Sequence, residues 1–285
     1  MKNLFKILFL FIISFVVTGC FDDNNMKDIN IYTSIYPINY ITERLYGNNS
    51  TILSIYPDGI DYNKYTVSNK LLKDYSDCDL FIYNGSVIKE RGYAEKIHRK
   101  IIDAASGMTY VNDSAELWLD PSNMLMMAQN IRNGFKEYID EYYLIKDINS
   151  NYDKLNLELS ELDAEFKEMS DSAANTTIVA SSDLFKYLEK YGFTVISLEE
   201  NENFSEKTVS EAKKLIASGT IQYIFSKDTE SNSDTIKNIL TTYPKVKVLK
   251  VNTLGTLSSN DVKNKETYFS IMLKNIDLLK KEVYN

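Results

Sequence analysis

Apolar and polar positions change period repeatedly along the chain, and each change marks an element. Short apolar, β-branched runs at 29–33, 51–56 and 80–83 read as strands, and Ile101-Ile102-Asp103-Ala104 reads as a fourth. Between them, 38–45 and 68–75 follow helical spacing, with Gly47 stopping the first helix and Asn84-Gly85 ending the third strand. Pro57-Asp58-Gly59 is a turn in which proline presets φ and glycine tolerates positive φ. Residues 121–143 are helical in pattern. Beyond them Tyr152, Leu155, Leu159, Leu162, Phe166 and Met169 recur at steps of three and four, while Glu158, Glu161, Glu165 and Glu168 fill the other faces. At 1.5 Å per residue the stretch 149–169 reaches about 30 Å. Its repeat covers only about three heptads, which favours a helix packed across two lobes over a coiled coil.

The alternation then restarts. Strands are expected at 176–180, 193–198, 221–225 and 246–251, and helices at 184–191, 206–218, 233–241 and 267–283. The expected fold class is α/β: two α/β lobes with mostly parallel sheets, joined by one long rigid helix. The boundaries are a lobe at 29–146, the linking helix at 147–171 and a second lobe at 172–285. Ligands in such folds sit beyond the carboxyl ends of strands and between domains.

The N-terminus reads as a targeting segment. Lys2 and Lys6 precede an apolar run over 7–17 that is too short to span a bilayer. Val17-Thr18-Gly19-Cys20 follows and resembles the lipobox of bacterial lipoproteins, in which the cysteine becomes the first mature residue and carries the lipid. Residues 1–19 are then the signal peptide, Cys20 the lipid attachment site and 20–28 the lipidated cysteine and polar tether. Loss of the leader moves the net charge from −8 to −10. After Cys20 only Cys78 remains, so an exported chain must rely on its core rather than on an intrachain disulfide. Cys78 precedes an apolar run and reads as a buried, inert thiol.

At 285 residues, 44% hydrophobic and 25% charged, the chain is neither disordered nor a polytopic membrane protein. The dispersed acidic excess argues against nucleic acid as a partner. No G-x-G-x-x-G follows the first strand, and neither a G-x-x-x-x-G-K-[ST] loop nor a G-x-S-x-G elbow occurs. The single histidine, His98, lies in a basic run with Lys96, Arg99 and Lys100 and reads as a solvated surface residue. Nothing here points to an enzyme.

Five segments stand in order along the chain: Thr33-Ser34-Ile35-Tyr36-Pro37, Tyr56-Pro57-Asp58-Gly59-Ile60-Asp61, Asp77-Cys78-Asp79-Leu80-Phe81-Ile82-Tyr83-Asn84-Gly85, Leu117-Trp118-Leu119-Asp120-Pro121, and Thr267-Tyr268 through Asn275-Ile276-Asp277 at the end. Taken together they resemble the metal-binding solute receptors of bacterial ABC transporters that import zinc or manganese. The resemblance implies two lobes on a long helix with one metal ion in the cleft. It also implies an extracytoplasmic, lipid-anchored monomer that works with an ABC permease and its ATPase. The family's histidine positions are changed here. Asn63 follows the turn, Glu116 stands two residues before Trp118, Ser182 stands where zinc-type members carry a third histidine, and Glu200 lies near a manganese-type glutamate. The last ligand segment, 252–256, contains Asn252 but no acid.

The implied metal set is therefore Asn63, Glu116, Ser182, Glu200 and Asn252. These oxygen donors suit manganese, calcium or magnesium better than zinc, which favours imidazole and thiolate. Two rivals stay open: the same fold holding a nonmetal solute or no metal at all, and a surface adhesin or structural lipoprotein with a closed, inactive cleft. Charge decides between the first rival and the metal. Glu116 and Glu200 converging without a basic partner favour a cation, and Lys227 pointing into the cleft disfavours one. Tyr36, Tyr56, Tyr62 and Tyr65 fall on segments expected near the cleft, where a tyrosine offers an apolar face and a polar tip; half-burial in the lobe surface is the plainer reading. Trp118 is expected to anchor the first lobe to its neighbour.

Overall fold

Two four-stranded sheets carry the molecule, and they repeat one strand order. In the first, β1 (Ile29–Thr33), β2 (Ser50–Ser54), β3 (Leu80–Tyr83) and β4 (Lys100–Asp103) lie in the order β2-β1-β3-β4. In the second, β5 (Thr177–Ala180), β6 (Thr194–Ser197), β7 (Tyr223–Lys227) and β8 (Lys247–Val251) lie in the order β6-β5-β7-β8. Every pairing is parallel, with registers such as Thr33↔Ile82 and Ala180↔Phe225. A parallel sheet is covered on both faces, which is why Leu80-Phe81-Ile82-Tyr83 is an unbroken apolar run with all four residues buried. The chain leaves β1 to one side and returns as β3 on the other, and β5 and β7 do the same. Each reversal opens a crevice at the carboxyl end of its strands. The computed structural model describes residues 26–97, 99–109, 116–201 and 204–285. The signal peptide, Cys20 with residues 21–25 of the tether, and His98 lie outside the described residues.

Helices cover the sheets. In the first lobe these are α1 (Tyr36–Tyr46), α2 (Asn69–Tyr75), α3 (Ile88–Ile97) and α4 (Pro121–Tyr138). Proline opens both α1 and α4, where a missing N–H costs nothing, and the Asp120 carboxylate caps α4 by accepting from Ser122 N at 2.8 Å. The long helix α5 runs Tyr142–Asp171, about 45 Å at the standard rise. Every residue of the predicted stripe is buried on it, and the stripe continues upstream through Ile148 and Leu144. The second lobe adds α6 (Glu206–Ala217), α7 (Asp234–Thr242), the short α8 (Ser259–Lys263) and α9 (Tyr268–Val283).

Several boundaries differ from the sequence reading. The segment read as helical over 121–143 breaks at 139–141, so α4 ends at Tyr138 and α5 begins at Tyr142, before the 147 expected for the linking helix. Glu141 makes that break by capping the new helix, accepting from Leu144 N. Residues 183–191 wind as 3₁₀ turns rather than an α-helix, ending on Gly192 in the left-handed region. Helix α3 is a helix that the sequence reading passes over, because its apolar positions are few. Strand β7 lies at 223–227, two residues later than expected.

The main core runs through both lobes. It includes Leu80 and Phe81 of the first sheet, the α5 stripe, Phe185 and Phe225 of the second lobe, and Met272, Ile276 and Leu279 of α9. A smaller core lies under α6 and α7, around Val179, Ala212, Ile224, Ile236 and Ile239. Cys78 is buried within the main core, and burial pushes its thiol up to about 11. Among the described residues, no helix is long and apolar enough to cross a membrane.

Candidate functional site

The carboxyl ends of the two sheets meet along a seam built around segment 252–258. Main-chain bonds tie it across: Tyr36 N donates to Gly255 O at 3.0 Å, and Gly59 N donates to Leu257 O at 2.7 Å. Thr256 Oγ1 donates to Ile60 O at 2.6 Å. Trp118, fully buried, donates its indole N–H to Thr253 O at 2.7 Å and accepts Tyr268 OH on its own carbonyl at 2.6 Å. This is the interlobe anchor expected of the lone tryptophan. Gly255 is required here by space rather than by φ, because a methyl group in its place would overlap the Tyr62 ring.

A cleft of about 400 Å³ opens beside this seam, lined by Asp61, Tyr62, Asp228, Asn252, Thr253 and Asp261 together with further small and polar residues. Three carboxylates and no basic side chain line it. Tyr62 forms its inner wall, with its ring edge-on to Trp118 at 6.1 Å between centroids. The Tyr62 hydroxyl is buried and has no hydrogen-bond partner within normal geometry. Burial, with the Glu116 carboxylate nearby and Asn63 opposing it, holds this phenol well above its ordinary range.

Glu116 enters the seam just before the 3₁₀ turn Leu117–Leu119. Its side chain is 2% exposed, and Lys227 Nζ stands 3.6 Å from Oε1. That separation exceeds the roughly 2.7–2.9 Å of a charge-assisted hydrogen bond, so Oε1 is left unpartnered. Desolvation raises the Glu116 carboxyl above its ordinary value, and the neighbouring Lys227 charge only partly opposes this.

The five residues read as ligands have different partners. Asn63 is exposed but adjoins the Tyr62 hydroxyl, which brings it to the Glu116 neighbourhood. Ser182 is buried, caps the 183–191 turns and donates to Glu199 Oε2 at 3.1 Å. Glu200 is exposed and accepts from Thr235 Oγ1 at 2.9 Å. Asn252 lines the cleft, but its Oδ1 accepts from Leu254 N at 2.8 Å within its own loop. Glu116 thus meets Lys227, the arrangement expected to disfavour a cation, while Glu200 pairs with a hydroxyl on α7. Among the described residues, no three His, Cys, Asp or Glu side chains are grouped so as to hold a metal ion.

Sequence reasoning missed Asp228, Thr253 and Asp261 as lining residues. Asp228 directly follows β7, so its place at a strand's carboxyl end was the available signal. Its Oδ1 accepts from Thr253 N at 3.1 Å and Thr253 Oγ1 at 2.9 Å, which sets the loop that Trp118 grips.

Known proteins share this architecture. The Zn(II)-bound ZnuA-like domain of Streptococcus pneumoniae AdcA is similar at a TM-score of 0.72 and 23% identity, covering 90% of this chain and 100% of that one. The metal-dependent lipoprotein YcdH of Bacillus subtilis is similar at a TM-score of 0.74 and 19% identity, covering 90% of this chain and 100% of its own. In sequence, the zinc-binding lipoprotein AdcA of Streptococcus pneumoniae strain R6 is 24% identical over 281 residues, 88% of this chain. The chain spans about half the length of that relative, 55%. The family model described as zinc-uptake complex component A periplasmic, ZnuA, matches residues 31–282. With the match running from β1 to the end of α9, the chain belongs to the ZnuA family.

Proposed function

We propose that this chain is the extracytoplasmic receptor of an ABC importer, taking a divalent cation at the seam between its lobes and passing it to a membrane permease driven by its ATPase. In this reading it catalyses no reaction, acts as a monomer and is held at the membrane through lipid on Cys20. The lobes run 29–141 and 172–285 on either side of the linking helix, whose start at Tyr142 shortens the first lobe from the expected 146. The observation that carries the reading is the buried Glu116 oxygen without a hydrogen-bond partner, set beside a cleft that bears three carboxylates and no basic side chain. A buried carboxylate oxygen that lacks a hydrogen bond is costly, and Lys227 at 3.6 Å balances its charge without completing one.

AdcA is named a zinc-binding lipoprotein and the matching family model a zinc-uptake component, so zinc precedes manganese as the metal to test. This reverses the order drawn from oxygen donors alone. Asn63 and Glu116 are the members of the expected ligand set supported by their approach to Tyr62; Ser182, Glu200 and Asn252 would need to leave their present partners. A second reading, a nonmetal solute in the same fold, is favoured by Lys227 beside Glu116, since that pair can meet a ligand that brings its own charges.

Thermal unfolding of the metal-stripped full chain, titrated with zinc and then manganese, separates the two. A ligand that binds only the native state adds about 2.7 kcal/mol at 100 times its Kd. The expected result is a saturable rise with zinc, abolished by Glu116→Gln. No rise at millimolar metal overturns the metal reading and moves the search to organic solutes.

A further inference from the structure

The Glu116–Lys227 pair joins the two lobes, one side chain from each. Among the described residues, the other buried carboxylates are finished sites. Glu282 accepts from Gln222 N at 3.0 Å, Tyr223 N at 2.7 Å and Asn175 Nδ2 at 3.1 Å. Glu90 accepts from Asn84 N at 2.9 Å and lies 3.4 Å from Tyr56 OH. Glu116, by contrast, meets its cation at 3.6 Å and keeps Oε1 unpartnered. The facing Tyr62 hydroxyl is unpartnered as well. Lys227 is anchored at its backbone, where Glu230 Oε1 accepts from Lys227 N at 3.2 Å and Lys227 O accepts from Lys250 Nζ at 3.2 Å, while its side chain pairs with Glu116. Its side chain is 20% exposed, ten times the figure for Glu116. The ammonium thus sits at the solvent side of a buried carboxylate, on a flexible four-carbon stem, near enough to balance charge and too far to complete a hydrogen bond.

We propose that Lys227 is a tethered cation that occupies the charge position at Glu116 in the unliganded chain and must swing out before a metal ion can enter. This rests on the cation-receptor reading above and adds a specificity-determining residue to it. A divalent ion arriving at Glu116 meets a positive charge already in place, so the site excludes weakly held cations and takes only those whose binding outweighs the displaced pair. In the empty chain the same lysine compensates the buried carboxylate and helps hold the lobes together.

The test uses the full chain, metal-stripped, with zinc as the probe and the fluorescence of Trp118, the lone tryptophan, beside equilibrium dialysis as the readouts. Lys227→Met is expected to bind zinc at least about tenfold more tightly than the unaltered chain, since a like charge a few ångströms away is removed. Lys227→Arg, which keeps the charge, is expected to show no such gain, and Lys227→Met with Glu116→Gln to lose it. Without metal, Lys227→Met is expected to lower the melting temperature, with Glu116→Gln in the same chain restoring most of the loss. Lys227→Gln replaces Lys227→Met should the latter fail to fold. Equal or weaker zinc binding by the neutral variants overturns the proposal. Additive rather than compensating effects of the two substitutions without metal also overturn it, whatever zinc does. Compensation without any zinc binding in any variant overturns the cation-receptor reading itself, and the competition with it.

Discussion

At the carboxyl end of the first sheet, Ser34, Asn84, Ser86 and Glu90 are all buried. Ser86 Oγ donates to Asn84 Oδ1 at 2.7 Å, and Glu90 closes back on Asn84 N. At the corresponding end of the second sheet Lys227 and Asn252 are half-buried and Asp228 is exposed, and these line or border the cleft. The strand order is the same, yet one end is packed inward and the other is open. The first lobe acts as a filled platform carrying Tyr62 and Glu116. The second supplies the Lys227 charge, and Trp118 fastens the two. The buried set is satisfied internally except at Asn84 Nδ2, as burial demands of most polar groups, whereas a cleft can leave its groups for a ligand.

The fastening gives the largest expected effect. Trp118→Ala removes a fully buried ring and its bond to Thr253 O, and should cost about 3–5 kcal/mol of unfolding free energy by urea titration. A loss below 1 kcal/mol would mean that the lobes do not depend on one another. Next comes the platform. Desolvation raises the Glu90 carboxyl to about 7 from an ordinary 4.5, against hydrogen bonds that lower it. Between these values the unfolded chain releases a proton that the folded chain keeps, so stability falls as pH rises through that window and is level above it. Glu90→Gln should flatten this slope, so that the roughly 3 kcal/mol the unaltered chain loses between its acid limit and pH 8 is not lost by the variant. An unchanged slope by pH-dependent denaturation would remove Glu90 as its source.

In the second lobe, Glu282 ties α9 to the start of β7. Glu282→Ala leaves Gln222 N, Tyr223 N and Asn175 Nδ2 without this acceptor and should destabilise by about 1–3 kcal/mol. Hydrogen exchange at Gln222 and Tyr223 should rise with it. The smallest effect is expected where the first lobe meets the long helix at its surface. Arg44 donates to Glu158 at 2.6 Å and 2.8 Å, but the side chains are 28% and 41% exposed. Arg44→Ala should cost less than about 1 kcal/mol, and less still at high salt.

The fold was largely legible because its signals are periodic. The α5 stripe, the apolar β3 run and the Pro37 and Pro121 helix starts each depend on neighbours within a few residues. Helix α3 was missed because it buries Glu90 and Tyr93 among polar residues, so its pattern is not amphipathic. The site was legible in part. Trp118, Tyr62 and the Glu116–Lys227 alternative could be named, because strand ends and motif positions locate them. The partners of Ser182, Glu200 and Asn252 could not, because Glu199, Thr235 and the 252–254 turn capture them through loop geometry that no spacing rule expresses.

The main core passes without interruption from the first sheet through the α5 stripe to α9. Lobes divided by a solvated linker would lose structure one after the other. Here the helix that separates the lobes is also part of their shared interior, so they should lose structure together, and cutting the chain within that helix should not free one lobe intact. Only the α6–α7 layer, which has a core of its own, is placed to open first.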